Sequence, residues 1–173
     1  MPVLEVRRHA ERAVVAGGSA LSENGRRVAA SLAGVPYALV VASPLPRAQE
    51  TARLIGGRLD GTDPALLPDI GGAGVFGQVT LLARWAELAR ERAEVRTFAD
   101  EQLAAWTAIA ARAGGGERAL AVSHGGIVDV PAVVLALRLG LPVEGPSFGY
   151  CEGVRVTFEN GAPVALEVLR VRS

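Results

Sequence analysis

Short apolar runs occur at three places along the chain. They are "VLEV" (3–6), "YALVVAS" (37–43) and "RALAVSH" (118–124). Apolar character sustained over the length of a strand is typical of strands that a sheet buries on both faces. We therefore expect three buried strands, and each of these strands leads into polar residues.

Between these runs, apolar residues recur at helical spacing, three or four positions apart. Ser22 can cap the first helix, and Gly34 and Pro36 would stop it. The pair Gly56-Gly57 weakens or ends the second helix. The predicted helices lie at 21–34, within 43–57, from Leu81 to Ala89, from near Thr97 to Ala110, and at 125–139 with Pro131 in its first turns.

The chain ends in a pattern of a different kind. The stretch "VRVTFENGAPVALEVLRV" predicts a β-hairpin that turns at Asn160-Gly161. Upstream, "GGAGVFG" (71–77) predicts a flexible loop. Trp85 and Trp106 lie on the apolar stripes of two predicted helices, so we expect both rings to lie in the core. Alternating strand and helix patterns with no linker between them predict one layered α/β domain over 1–173.

Composition narrows the functional classes. Half of the 173 residues are hydrophobic and 21% are charged, which is typical of a globular protein. The formal net charge of zero gives no sign of a nucleic-acid or anionic-membrane partner. All 18 basic residues are arginine, so lysine Schiff-base chemistry and a Walker-type phosphate lysine are excluded.

The remaining compositional signals concern compartment and membrane. Cys151 is the only cysteine, so we expect no intramolecular disulfide, no cysteine metal cluster and a reducing, cytoplasmic compartment. Charges at Glu5 and Arg7 interrupt the N-terminal apolar residues, so no signal peptide is expected. The most apolar stretch, 127–143, is short for a bilayer span and carries Asp129 and Arg138, which indicates a buried helix.

Polar residues with shared chemistry follow the three predicted strands. Arg8 and His9 follow the first, Arg47 follows the second, and His124 follows the third. In α/β sheets, ligands bind in the crevice beyond the C-terminal ends of the strands. Two guanidiniums and two imidazoles gathered there would suit a tetrahedral dianion. One imidazole could attack phosphorus, and the second could donate hydrogen bonds to its equatorial oxygens.

These residues lie in motifs that resemble the histidine phosphatase superfamily, the phosphoglycerate-mutase-like group. Its Arg-His-Gly-Glu matches 8–11 with Ala10 in place of glycine, and its "S-P-L-x-R-A-x-x-T-A" is close to 43–52. Its "L-T/S-x-x-G…A" resembles 21–29, and its "V-S-H-G-G" is intact at 122–126. The matches span most of the chain in the family's order.

The resemblance implies a fold and roles. The fold would be a three-layer α/β/α sandwich around a mostly parallel sheet. His9 would be the nucleophile that forms a phosphohistidine, and Arg8, rather than Arg7, would join Arg47 and His124 in holding the phosphoryl group. No metal and no organic cofactor would be needed. If the family glycine replaced by Ala10 requires a positive φ, alanine would be strained there.

The general acid is where the resemblance weakens. The family supplies a glutamate after the second motif, whereas this chain has "LLPDIGGAGVFG", in which Asp69 is the nearest equivalent. Asp69 is therefore the expected acid and base, with Glu11, Glu87 and Asp129 as alternatives.

Three functions fit these residues. The leading hypothesis is a phosphatase that hydrolyses a phosphomonoester on a small phosphorylated substrate. A phosphohistidine protein phosphatase, acting on a phosphoprotein, and a non-catalytic phosphate-binding module are the alternatives. A phosphoglycerate mutase is less favoured, because only about two helices (80–112) separate the second motif from the third.

Overall fold

The computed structural model describes residues 1–14, 20–68 and 79–171. Within them, strands and helices alternate, except that three helical segments follow one another in the middle of the chain and two strands follow one another at its end. In chain order the elements are β1 (Val3–Arg8), α1 (Glu23–Ser31), β2 (Leu39–Ala42), α2 (Pro46–Gly56), β3 (Gly61–Thr62), a short 3-10 helix (Pro64–Leu66), α3 (Leu82–Glu91), α4 (Ala93–Ala113), β4 (Arg118–Ser123), α5 (Asp129–Arg138), β5 (Gly153–Glu159) and β6 (Ala162–Leu169).

The strands form one six-stranded sheet in the order β3-β2-β4-β1-β5-β6. Strands β3, β2, β4 and β1 pair in parallel, β5 pairs antiparallel with β1, and β6 pairs antiparallel with β5. The register pairs Val3 with Arg118 and Arg8 with Ser123, so β1 and β4 end level with each other. The residues that follow these two strands are therefore neighbours.

Helices cover both faces of the sheet. Side chains alternate between the two faces, as strand geometry requires. Val40 and Leu120 pack in a core with α1 and α2, whereas Val41 and Ala121 pack in a second core with α3, α4 and α5. The predicted three-layer α/β/α sandwich with a mostly parallel sheet is confirmed.

Local sequence accounts for several helix ends. The Ser22 Oγ accepts a hydrogen bond from the Gly25 N–H at 2.9 Å and caps α1, as predicted. Gly57 has φ 73° and ends α2 in the left-handed conformation. The hairpin also agrees with its prediction, because Asn160 and Gly161 both have positive φ, at 51° and 77°.

Other bounds differ from the predictions. Helix α4 begins at Ala93, four residues before Thr97, and the Arg96 guanidinium donates to the carbonyls of Ala89 and Arg90 at 2.8 and 3.0 Å. These two hydrogen bonds join α3 to the first turn of α4. Because they involve polar atoms, apolar periodicity does not reveal where α4 begins. Helix α5 begins at Asp129 rather than 125, because Gly126, with φ 76°, lies in the turn before it.

The predicted core of the two amphipathic helices is largely observed. Trp85 and Trp106 are each 1% exposed, as predicted. Leu81 is 55% exposed and precedes α3, so the prediction that this helix and its apolar face begin at Leu81 was wrong. The predicted loop at 71–77 lies outside the described residues. Among the described helices, none combines the length and apolar character needed to cross a membrane.

Candidate functional site

The site forms where β1, β2 and β4 end. The His9 N–H donates to the Ser123 carbonyl at 2.9 Å, and the Ser43 N–H donates to the Val122 carbonyl at 2.9 Å. These bonds extend the parallel ladder just past the strand ends. The rings of His9 and His124 consequently lie 5.2 Å apart, centroid to centroid.

Arg47 lies between the two imidazoles. It is the second residue of α2, whose first turn begins at Pro46. Its Nε donates to His9 Nε2 at 3.1 Å, and its Nη2 lies 3.4 Å from His124 Nδ1. Thr51, one turn later, accepts a hydrogen bond from the Ala10 N–H at 2.9 Å and ties α2 to the chain after β1. The predicted convergence of three motifs is thus present in the structure.

The hydrogen bonds assign one tautomer to each imidazole. His9 Nδ1–H donates to the Ala10 carbonyl at 2.8 Å, so its Nε2 carries the lone pair that accepts from Arg47. Arg47 can only donate, so His124 Nδ1, 3.4 Å from its Nη2, carries the lone pair, and His124 Nε2–H then donates to the Ser43 Oγ at 2.6 Å. Both unprotonated nitrogens are therefore directed at the same guanidinium.

Burial and positive charge keep both rings neutral. Burial lowers the pKa of His9 to about 4, with Arg47 and Arg8 adding to the effect. Burial lowers the pKa of His124 to about 3, with further contributions from His9, Arg47 and Arg8. At neutral pH each imidazole is unprotonated and can use its lone pair.

Arg8 packs closely against Tyr150 and Gly125. Its guanidinium lies 4.5 Å from the centre of the Tyr150 ring, and a Cβ added to Gly125 would be 3.1 Å from the Arg8 Cζ. Its Nη1 donates to the Phe148 carbonyl at 2.9 Å. Its Nε is buried and has no hydrogen-bond partner in the part of the chain that the structure describes. A buried donor without an acceptor is costly, and an anionic ligand would satisfy it.

Arg7, next to it, has a different role. Its guanidinium donates to Glu5 Oε2 at 3.0 Å and to the Cys151 carbonyl at 2.9 Å. Glu5 is fully buried and also accepts from Tyr37 at 2.9 Å and from Arg155 at 3.0 Å. Arg7 therefore belongs to a buried ion network, separate from the two histidines.

The four predicted ligands line one cavity of about 310 Å³. Among the described residues its wall also includes Arg12 and Asp129, which gives it three guanidiniums and one carboxylate. Within the described ranges, no three His, Cys, Asp or Glu side chains are grouped so that they could hold a metal ion. The arrangement is that of an anion site with a nucleophilic nitrogen beside it.

The alternative acids fall into different places. Glu87 is on the surface of α3 and pairs with Arg84 at 2.7 Å, so the structure does not bring it to the site. Glu11 accepts a hydrogen bond from the Ser22 Oγ at 2.5 Å and supports the start of α1. Asp69 lies outside the described residues.

Asp129 lines the cavity but is occupied by backbone donors. Its two carboxylate oxygens accept from the N–H groups of Gly126 and Phe148, each at 2.7 Å. Burial raises the pKa of Asp129, and the two backbone hydrogen bonds act in the opposite direction. The carboxyl group joins the turn before α5 to the segment that contacts Arg8.

Ala10 fits its position without strain. Its φ is not positive, since Cys151 and Asn160 are the non-glycine residues with positive φ in the described chain. Ala10 is fully buried against α2 and donates its N–H to Thr51. The replacement of the family glycine therefore carries no backbone penalty.

Sequence reasoning missed Ser43, Arg12 and Tyr150. Ser43 opens the "SPLPRA" motif, so its position after a strand was a usable signal. Arg12 follows the first motif directly. Tyr150 has no motif around it and reaches Arg8 because the chain returns to β1 through antiparallel β5.

The neutral rings lead to a prediction about stability. An unfolded histidine has a pKa near 6.5. In the folded protein the pKa values of His9 and His124 are about 4 and about 3. Below pH 6.5 the folded protein therefore binds fewer protons than the unfolded chain, and its stability falls as the pH falls. From pH 7 to 5 the two histidines should together lower the free energy of unfolding by roughly 4 kcal/mol. Denaturant unfolding of the wild type and of the His9→Gln/His124→Gln variant measures this. An equal loss of unfolding free energy between pH 7 and 5 in both proteins would contradict neutral imidazoles in the folded wild type.

Comparisons with known proteins agree with the motifs. The model of the histidine phosphatase superfamily (branch 1) matches residues 6–71, a range that holds the first two site motifs. The resemblance predicted from the sequence is confirmed. No curated protein is similar enough in sequence to match this chain.

Solved structures share the fold. Phosphoserine phosphatase from Entamoeba histolytica, in complex with 3-phosphoglyceric acid, is 16% identical, with 98% of each chain covered and a TM-score of 0.67. Phosphoglycerate mutase from Bacillus anthracis is 19% identical, with 97% of this chain and 92% of that chain covered and a TM-score of 0.63. A mycobacterial glucosyl-3-phosphoglycerate phosphatase is 22% identical, with both chains fully covered and a TM-score of 0.58. The fold is phosphoglycerate-mutase-like.

Proposed function

We propose that this chain, which carries the histidine phosphatase motifs within residues 6–71, hydrolyses a phosphomonoester through a phosphohistidine intermediate. One observation carries the proposal. His9 presents an unprotonated Nε2 to a cationic cavity, and its Nδ1–H is anchored on the Ala10 carbonyl at 2.8 Å. A neutral imidazole that is fixed in this tautomer has a lone pair on Nε2 and can use it to attack phosphorus.

Arg8 and Arg47 would bind the phosphoryl oxygens. The unpartnered Nε of Arg8 supplies a donor, and the fork of Arg47 would exchange its imidazole partners for phosphate oxygens. The His9 Nε2–P bond then forms as the bond from phosphorus to the leaving oxygen breaks. In the second half, water attacks phosphorus, the N–P bond breaks, and inorganic phosphate leaves.

His124 would change its protonation state during binding. In the free site its Nε2–H is engaged by Ser43, and its Nδ1 has no proton to donate. A phosphate dianion beside the ring favours the imidazolium form, which opposes the burial and the positive neighbours that lower its pKa. The proton gained at Nδ1 then donates to an equatorial oxygen, where charge is stabilised in transfer.

Asp69 remains the proposed proton donor to the leaving oxygen, because Glu87 pairs with Arg84, Glu11 supports α1 and Asp129 accepts two backbone N–H groups. Asp69→Asn should slow phenyl phosphate by about 10²-fold or more but p-nitrophenyl phosphate only slightly, since a good leaving group needs no proton. Steady-state kinetics on both esters measure this, with Asp129→Asn for comparison. Equal slowing of the two esters by Asp69→Asn would assign the proton to another group.

Turnover tests the function as a whole. The wild-type chain should release inorganic phosphate from p-nitrophenyl phosphate, and the surface variant Glu87→Gln should do so at the same rate. Release from a protein phosphorylated on histidine, with none from small esters, would favour the phosphohistidine protein phosphatase. Phosphate binding without any turnover would identify a binding module and contradict the proposed activity.

A further inference from the structure

We infer that Arg12 selects phosphomonoesters that carry a second anionic group, a carboxylate or another phosphate. This inference rests on the proposed function and concerns the substrate of the same site. Arg12 follows the first motif, and its backbone is held by an antiparallel bridge to Leu21. Its side chain is exposed and lines the cavity that contains Arg8 and His9.

The Arg12 guanidinium has no hydrogen bond or ion pair with any residue in the described ranges. Other arginines nearby are engaged: Arg26 pairs with Glu50 at 2.6 Å, and Arg7 pairs with Glu5 at 3.0 Å. The charge of Arg12 nevertheless reaches the site. It adds to the effect of burial in lowering the pKa of Arg47, and it contributes, after burial, Arg47 and Arg8, to the lowered pKa of His9.

Arg12 differs from the other two guanidiniums of the cavity in having no assigned task. Arg8 and Arg47 are the two that would hold a phosphoryl group on His9. Asp129, the carboxylate that lines the cavity within the described residues, accepts from two backbone N–H groups and not from Arg12. Arg12 therefore has no partner among the described residues when a simple monoester binds. A second anion on the substrate would pair with it, and a guanidinium binds carboxylate or phosphate through two parallel hydrogen bonds.

Matched esters test this selection. The substrates are carboxyphenyl phosphates with the carboxylate at the 2, 3 or 4 position, the corresponding neutral carbamoylphenyl phosphates, and 1,4-phenylene bisphosphate. The wild type should favour at least one ester with an anionic side group over the neutral esters by about three- to tenfold in kcat/KM, mainly through KM. Arg12→Gln should remove this preference, measured as the ratio of kcat/KM for the anionic esters to kcat/KM for the neutral carbamoyl esters, because a change in the rate common to all esters cancels in that ratio. Using the ratio between wild type and variant cancels the difference in leaving group.

The control variant is Arg27→Gln, which removes the same charge from the surface of α1, where Arg27 donates to Asn24 at 2.7 Å. It should keep the preference, and 0.5 M NaCl should weaken the preference in the wild type, because the Arg12 side chain is exposed. Preference for carboxylates alone, or for the bisphosphate alone, would identify the second anion. A wild type that hydrolyses all esters with no charge preference, or a preference that survives Arg12→Gln, would overturn the inference and leave the phosphatase intact. A wild type that hydrolyses none would overturn the proposed function instead.

Discussion

His9→Ala should lower kcat for p-nitrophenyl phosphate by at least about 10⁴-fold, because the variant has no atom that can form the covalent bond to phosphorus. Residual binding should survive. Arg8 keeps its contacts with Phe148 and Tyr150, and Arg47 loses a hydrogen-bond partner but keeps its charge. The measurement is steady-state hydrolysis alongside phosphate binding by calorimetry.

The control for this variant is its fold. His9 is 5% exposed, so thermal unfolding and circular dichroism should establish that His9→Ala remains native. A folded variant that retains a rate within about tenfold of the wild type would remove His9 as the nucleophile. The phosphoryl acceptor would then have to be another group in the cavity.

Arg47→Lys should lower kcat/KM by about 10²- to 10³-fold, although the charge is kept. Arg47 contacts His9 through Nε and His124 through Nη2, so one planar guanidinium contacts both imidazoles. A lysine ammonium is a single point of charge on a flexible stem and cannot reproduce this geometry. Hydrolysis of p-nitrophenyl phosphate over a range of concentrations separates the loss in kcat from the loss in KM.

Arg53→Lys on the same helix is the matched control, because Arg53 is an exposed residue in the last turn of α2 and lines no part of the cavity. It should retain wild-type kinetics. Equal kinetics for Arg47→Lys and the wild type would show that charge alone suffices at this position, and the bridging geometry would carry no catalytic importance.

The sequence was informative about the site because of strand register. Arg8 and Ser123 are the last residues of β1 and β4 and are paired with each other, so parallel pairing also brings the next residues, His9 and His124, together. Arg47 lies in the first turn of a helix that starts directly after β2. Strand ends and helix starts are local features, and local patterns predict them.

Tertiary features escaped prediction for identifiable reasons. Tyr150 contacts Arg8 only because the chain returns along β1 as antiparallel β5, and no local pattern encodes that contact. The carboxylates were ambiguous, since a sequence shows an acid but not the partners that occupy it. Glu87 was a reasonable acid by type, and it is a surface ion pair by position.

The protonation pattern is likewise a property of the fold. Each imidazole has one nitrogen bound to a local acceptor, Ala10 for His9 and Ser43 for His124. The other nitrogen faces Arg47 in each case. Residue types alone predict two histidines near an anion, and the placement of Arg47 decides which nitrogen of each ring is available.

Rapid-quench labelling tests the central claim most directly. The wild type is mixed with a ³²P-labelled monoester, quenched within milliseconds to seconds, and digested to locate the label. We predict a phosphoryl group on His9 that acid removes and base does not, and no label in His9→Ala. An acid-stable label on a serine, a base-labile label on an aspartate, or a label that persists in His9→Ala would contradict the phosphohistidine mechanism.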